Sequence, residues 1–130
     1  ESFQGSWHHR LWEIACQTND LKFFTESLAR EGRPVALSWG FPPSNLNLVT
    51  ELQKFGVVIW WFDGDEAAAR EAFIERGVGD VVDFDDQLKK IKESWTQIEQ
   101  TIGQRKILTL EESGKRKSFE EIWSEMTLKR

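Results

Sequence analysis

Tyrosine is absent from this sequence of 130 residues, and cysteine and methionine occur once each. A lone cysteine, Cys16, cannot form an internal disulfide, which excludes a disulfide scaffold and a cysteine-built zinc module and suits a reducing cytosol. No apolar run approaches the roughly 18 residues that cross a bilayer. We therefore expect a cytoplasmic protein that does not enter a membrane.

Aromatic and charged residues are plentiful instead. Seven Trp and nine Phe predict a bulky aromatic core, and the 39% of hydrophobic residues exclude a disordered chain. A chain of this length fits one compact domain. We expect residues 1–130 to form a single α/β domain, and one interpretation is that they are the C-terminal part of a longer protein.

The net charge of −5 is unevenly spread. Residues 63–86 hold nine acidic and two basic residues, a net charge of −7, whereas residues 87–130 hold seven acidic and ten basic residues, a net charge of +3. A negative centre repels polyanions, so we do not expect nucleic acid as a partner. The acidic stretch 63–86 suits either attraction of a divalent cation or a solvated helix surface.

Three short apolar runs predict strands near residues 35–39, 57–62 and 106–110. The run 57–62 is apolar at every position, which predicts a strand covered on both faces. Residues 78–82 suggest a further short extended piece.

Apolar residues at helical spacing predict helices between these runs. One covers 66–76 with Asp65 as its N-cap, and one long helix runs from about 85 to about 102. A last helix begins with a capping box formed by Ser118 and Glu121. Its inward-facing residues are predicted to be Phe119, Ile122, Trp123 and Met126.

Strands that alternate with helices predict an α/β fold, with three αβα layers and a short, mostly parallel sheet flanked by helices. Ligands of such sheets bind beyond the carboxyl ends of the strands. In this chain those ends lie near Trp39 and Gly40, at Asp63-Gly64-Asp65 and near Glu111.

Asp63-Gly64-Asp65 is the segment whose functional groups are best suited to metal binding or catalysis. Two carboxylates after a hydrophobic strand suit a shared cation, or a nucleophile and an acid, but also a plain turn in which Asp65 caps the next helix. Arg70 and Arg76 follow on that helix and carry guanidinium groups that suit phosphate. Glu66 lies four residues before Arg70, which favours an ordinary surface ion pair.

The two histidines are not predicted to ligate a metal. His8 and His9 are adjacent, so their side chains diverge by about 100° on a helix. Cys16 has no motif around it and is predicted to be a buried thiol. We therefore assign no metal ligand from the sequence.

One longer pattern resembles a known family. Residues 34–43, the run 60–65 with Arg70 and Arg76, and the segments 107–110 and 118–123 resemble the later part of small P-loop kinases and related nucleoside triphosphatases. The phosphate-binding loop of that family, G-x-x-x-x-G-K-[ST], does not occur in this chain, and Ser38 stands at the place of its Walker B acid. The resemblance therefore covers the C-terminal portion of such a protein only.

The resemblance implies a nucleotide-binding, kinase-like or NTPase-like protein that uses ATP and Mg²⁺ and is weak or inactive without the missing loop. Arg70 and Arg76 would contact phosphate. The other residues that it places at the site are Asp63, Asp65, Trp39, Gly40 and Glu111.

Two other functions stay open on the sequence. One is a non-catalytic protein–protein interaction module that binds through its acidic centre or an open sheet edge. The other is a divalent-metal-dependent phosphatase that uses the Asp63-Gly64-Asp65 turn. The expected partners are a nucleotide ligand and a second copy, or another chain, that completes the sheet.

Overall fold

The computed structural model describes residues 7–32, 35, 37 and 43–128. The chain forms two compact units, Glu1–Val58 and Ile59–Arg130. Compact units of this size occur within one domain as well as in separate domains, so the single-domain prediction stays a prediction. The predicted strand near 35–39 lies largely outside the described residues, as do Trp39 and Gly40.

The first unit is helical in its described part. Its helices are α1 (Trp7–Thr18), α2 (Lys22–Arg30) and α3 (Leu46–Lys54), the last preceded by a 3₁₀ turn at Pro43–Asn45. The carboxylate of Asp20 accepts a hydrogen bond at 2.9 Å from the N–H of Lys22, the first residue of α2. Phe24 is fully buried and meets Trp12 edge to face, with ring centroids 5.5 Å apart.

The second unit contains the sheet. Its elements in chain order are β1 (Trp61–Gly64), α4 (Glu66–Arg76), α5 (Val81–Glu93), α6 (Trp95–Ile102), β2 (Lys106–Leu110) and α7 (Phe119–Leu128). Ile98 and Ile102 of α6 and Ile107 and Leu110 of β2 are buried together in its core. Burial of such side chains contributes about 1.5–3 kcal/mol each.

The two strands are parallel, and helices flank them, so the predicted α/β class is confirmed. Trp61 pairs with Lys106, and the register shifts between Asp63 and Gly64, so that Gly64 pairs with Leu110. This bulge lets the Thr109 hydroxyl donate to the Asp63 carbonyl at 3.0 Å.

Strand β1 begins later than predicted, at Trp61 instead of residue 57. The preceding residues complete the end of α3, since the Val57 N–H donates to the Leu52 carbonyl, and the first contact across the sheet is from the Trp61 N–H to the Arg105 carbonyl. The prediction of a run covered on both faces is wrong, because Val58 and Phe62 are about half exposed.

The long helix predicted from about 85 to 102 is two helices. Asp80 starts α5 earlier, because its carboxylate accepts from the Val82 N–H at 2.9 Å, so the predicted extended piece at 78–82 is wrong. Ser94 then ends α5 and begins α6, with its carbonyl accepting from the Ile98 N–H at 3.0 Å.

Candidate functional site

The predicted meeting of two strand ends at one edge of the sheet is confirmed. The Asp65 N–H donates to the Leu110 carbonyl at 3.0 Å, which brings the Asp63-Gly64-Asp65 segment next to Glu111. Glu111 is half-buried and opens a tight hairpin, in which its N–H donates to the Lys115 carbonyl at 2.9 Å. The chain then returns beside β2 through an antiparallel bridge between Leu110 and Arg116.

The two aspartates of this edge bind backbone amides. The Asp65 carboxylate accepts from the Ala68 N–H at 3.1 Å, which confirms its predicted role as the cap of α4. The exposed Asp63 carboxylate accepts from the Gly64 N–H at 2.9 Å. Among the residues that the structure describes, no group of three or more His, Cys, Asp or Glu side chains is arranged to hold a metal ion.

The arginine after this turn is paired across to the next helix. Arg70 donates from Nε and Nη2 to the two carboxylate oxygens of Asp85, at 3.0 and 3.2 Å. The predicted pairing of Arg70 with Glu66 is wrong, because Glu66 instead contacts Lys92, with 2.8 Å between Oε2 and Nζ. The hydrogen bonds from Arg70 hold the pKa of Asp85 below its usual value, and those to Asp85 raise the pKa of Arg70.

These two ion pairs define one flank of the α4–α5 hairpin. Glu66, Arg70 and Ile74 lie four residues apart and so share one stripe of α4. Their partners on α5 run in the opposite direction, from Lys92 to Asp85. One helical turn beyond Arg70 on α4, Ile74 therefore lies on the side of the hairpin nearest the first turn of α5.

From Ile74 onward, the exposed side chains at this end of the hairpin include three apolar ones. Ile74, Val78 and Val82 are 52%, 74% and 60% exposed. We call these three residues the α4–α5 tip. Three exposed aliphatic side chains within nine residues of the chain differ from the single ones common on protein surfaces.

The tip is held by a tight aromatic contact beneath it. The rings of Phe73 and Phe84 lie with centroids 5.0 Å apart, and a Cβ added at Gly79 would lie 2.5 Å from Cζ of Phe73. The guanidinium carbon of Arg76, the second arginine predicted to contact phosphate, lies 5.9 Å from the centroid of the Phe73 ring. The turn between α4 and α5 is therefore closely packed.

Exposed acidic side chains accompany the tip on the same two helices. The acidic stretch 63–86 supplies them, and its net charge is −7. The exposed acids nearest the tip in sequence are Glu71, Glu75, Asp80, Asp83 and Asp86. The exposed apolar residues of the tip therefore lie in a strongly acidic part of the chain.

A shallow groove in the first unit is a weaker candidate. It has a volume of about 510 Å³ and lies between residues of α2 and α3, among them Asp20, Glu51 and Phe55. Two of its carboxylates already have partners, since Asp20 accepts from the Lys22 N–H and Glu51 contacts Lys54 at 2.8 Å. A polar ligand would have to compete with these contacts.

A hydrogen-bonded trio in the first unit was not predicted. Ser27 Oγ lies 2.8 Å from His8 Nδ1, and His8 Nε2 lies 2.7 Å from Glu31 Oε1. Ser27 and Glu31 are four residues apart near the end of α2, and that spacing is the only sequence signal for the trio. His9 lies beside Glu13 on α1 instead, at 3.6 Å.

Helix α7 differs from its predicted orientation. The capping box is confirmed, since the Glu121 N–H donates to Ser118 Oγ at 3.2 Å. The prediction that Phe119 and Trp123 face inward is wrong, because both are more than half exposed. Their rings stack on each other with centroids 6.2 Å apart.

The chain matches no protein-family model, no curated protein and no solved structure. The resemblance to P-loop kinases, and the ATP and Mg²⁺ that it implies, therefore stay predictions. In the part of the chain that the structure describes, no helix has both the length and the apolar character needed to span a membrane.

Proposed function

We propose that this protein is a non-catalytic interaction module that binds a partner protein through the α4–α5 tip. The observation that carries the proposal is the exposure of Ile74, Val78 and Val82, each more than half accessible, within a stretch of net charge −7. Binding hot spots are apolar side chains near the centre of an interface, enclosed by a polar rim.

The rigidity of the hairpin supports this function. The bidentate Arg70–Asp85 pair and the Glu66–Lys92 pair join α4 to α5, and the Phe73–Phe84 contact fixes the turn. Side chains on a rigid support lose less conformational entropy when a partner binds. The tip is therefore suited to recognition without rearrangement.

The state of the predicted catalytic groups supports a non-catalytic role. Asp65 is used as a helix cap, and Arg70 is neutralised by Asp85. A residue that contacts a transferring phosphate must present unpaired donors to it. Two of the five N–H donors of Arg70 and one carboxylate oxygen of Asp65 are engaged in this way, so both residues have structural roles.

Photo-crosslinking tests the proposal directly. The protein carrying a benzophenone amino acid in place of Val78 is irradiated in an extract of the cells that express it. We expect a discrete protein adduct that Ile74→Ser and Val82→Ser together weaken at least tenfold. The matched control carries the same probe at the exposed Glu112 of the β2 hairpin.

The two positions separate a specific surface from general stickiness. An adduct at position 78 that is absent at position 112 supports the module. Equal adducts at both positions, or none at position 78, would contradict it.

A further inference from the structure

We infer that the segment recognised at the α4–α5 tip is a basic amphipathic helix of the partner, an inference that rests on the proposed function. Three features of the structure support this inference: the shape of the apolar surface, its extent along the hairpin and the charge around it. Each feature narrows the class of occupant.

The shape of the surface favours a helix. Ile74 belongs to α4 and Val82 to α5, so the apolar surface is shared by two antiparallel helices that lie side by side. A third helix packs on such a pair by inserting its own apolar side chains, spaced three and four residues apart, between theirs. An incoming helix therefore needs an apolar stripe and not an apolar surface all round.

The extent of the surface limits the contact to a short stripe. Ile74 is followed along the flank by Arg70 and Asp85, whose charged groups are bound to each other across the two helices. The apolar part ends there, about one helical turn, or roughly 5.4 Å, from Ile74. Two or three apolar side chains of the partner are enough to cover the tip.

The charge around the surface defines the rest of the partner. Five exposed acids belong to the hairpin: Glu71 and Glu75 of α4, Asp83 and Asp86 of α5, and Asp80, the N-cap of α5. The bases of α4 are Arg70, which Asp85 neutralises, and Arg76, which lies over the Phe73 ring. The bases of α5 lie toward its far end, where Lys92 pairs with Glu66, and Lys89 and Lys90 are about two helical turns from Val82. Lys and Arg side chains flanking the apolar stripe of a partner would meet these acids, and charge complementarity of this kind raises association rates and selects partners.

The same charge argues against other occupants. A nucleic acid or an anionic membrane would be repelled by a surface of this sign. A second copy that docked through the same face would bring like charges together, which costs free energy at an interface. A basic helix is the occupant that gains from both the apolar centre and the acidic rim.

A synthetic peptide provides a defined probe. A 14-residue peptide of Leu and Lys, with Leu at helical spacing on one face, is titrated into the whole protein by calorimetry at low salt. We expect a Kd on the order of 10 μM that weakens as salt is added, because exposed charges are screened. A Leu/Glu peptide of the same pattern should bind at least tenfold more weakly.

Variants of the protein locate the binding. Ile74→Ser with Val82→Ser, and separately Asp83→Asn with Asp86→Asn, should each weaken binding of the Leu/Lys peptide at least fivefold. Phe119→Ser with Trp123→Ser, which removes an equally exposed apolar pair on α7, should leave the Kd unchanged within twofold. All the positions changed are exposed, so the fold is retained.

The outcomes separate this inference from the proposed function. Equal binding of the Leu/Lys and Leu/Glu peptides, or equal loss in the α7 variant, overturns the basic helix. If the crosslinked adduct forms at position 78 but the Leu/Lys peptide does not bind, the inference alone is overturned. If neither the adduct nor peptide binding is observed, the proposed function is overturned as well. A dimer in sedimentation that Ile74→Ser and Val82→Ser dissociate would make a second copy the occupant and overturn the inference.

Discussion

At the scale of single residues, the Ser27 hydroxyl joins α2 to α1 through His8. A carboxylate accepts, so His8 Nε2 donates to Glu31, and the other ring nitrogen, Nδ1, shares a hydrogen bond with the Ser27 hydroxyl. Ser27→Ala leaves Nδ1 without its hydrogen-bond partner in a mostly buried place. We expect the free energy of unfolding to fall by about 1–3 kcal/mol, measured by urea denaturation.

The control for this prediction is Ser44→Ala, at an exposed serine in the 3₁₀ turn before α3. A surface change of that kind should alter stability by no more than about 0.5 kcal/mol. Equal effects of the two substitutions would mean that the His8 contact contributes nothing.

The Arg70–Asp85 pair gives a pH dependence with a defined sign. Hydrogen bonds from Arg70 lower the pKa of Asp85 in the folded protein below its unfolded value. The pair therefore stabilises the fold fully above the unfolded pKa, and this contribution is lost as the pH falls through the folded pKa. We expect Asp85→Asn to be less stable than the native protein at pH 7 and equal to it in strong acid.

Denaturant midpoints measured from pH 7 to pH 2 test the Asp85 prediction. The neighbouring exposed Asp86→Asn serves as the matched control, and its difference from the native protein should be smaller at pH 7. A gap between native and Asp85→Asn protein that stays constant down to pH 2 would rule out the ion pair as its cause.

Local chemistry was predictable at this scale where the partner is near in sequence. Asp65 was identified as the cap of α4, and the predicted end at residue 76 is followed by Gly77, with a φ of 66°. The partner of Arg70 was not identified, because Asp85 lies 15 residues further on and only the packing of two helices brings it close. The trio of His8, Ser27 and Glu31 was missed for the same reason.

At the scale of elements, the α4–α5 turn depends on the absence of a side chain at Gly79. The Phe73 ring occupies the space that a Cβ would need, and its centroid lies 5.0 Å from that of the Phe84 ring. We expect Gly79→Ala to destabilise the hairpin by about 1–3 kcal/mol, the usual cost of overpacking. Hydrogen exchange of α4 and α5 amides measures the change.

A double-mutant cycle checks the cause of the Gly79 effect. Phe73→Leu shortens the side chain, so Gly79→Ala should cost less in that background. Gly77→Ala provides a second comparison, because its cost of roughly 1–2 kcal/mol comes from the left-handed backbone and should not depend on residue 73. Identical costs of Gly79→Ala in both backgrounds would refute the steric explanation.

Elements with local signals at both ends were predicted well. The bounds of α4 and β2 agree with the sequence prediction, since capping residues, glycine or a clear apolar run mark them. The start of β1 was missed because strand pairing begins where Arg105 meets Trp61, which no local pattern records. The break at Ser94 was missed because the apolar spacing continues through it.

At the scale of the whole molecule, the second unit has the features of an independently folding part. It holds both strands of the described sheet, and its ion pairs at Arg70, Lys92, Lys106 and Lys117 join residues of the same unit. We expect the fragment Ile59–Arg130 to unfold cooperatively in urea, followed by circular dichroism. Ile107→Asp should abolish the transition, because it puts a charge in the core.

A fragment whose signal changes gradually with urea, and equally with or without Ile107→Asp, would show that the unit needs the rest of the chain. The α/β class of the unit was predictable, since apolar runs that alternate with amphipathic segments indicate it directly. Its proposed binding surface was not, because the exposure of Ile74 and Val82 depends on how α4 and α5 pack, which no local sequence pattern indicates.

The parallel pairing of β1 with β2 also affects how the protein emerges during synthesis. Gly64 ends the first strand and Lys106 begins the second, so 42 residues of chain are made before pairing starts. At a synthesis rate of about 5–20 residues per second, roughly 2–8 s pass between the synthesis of β1 and the synthesis of β2. The α4–α5 hairpin is made by contacts between residues close in sequence, and it can therefore form during that delay.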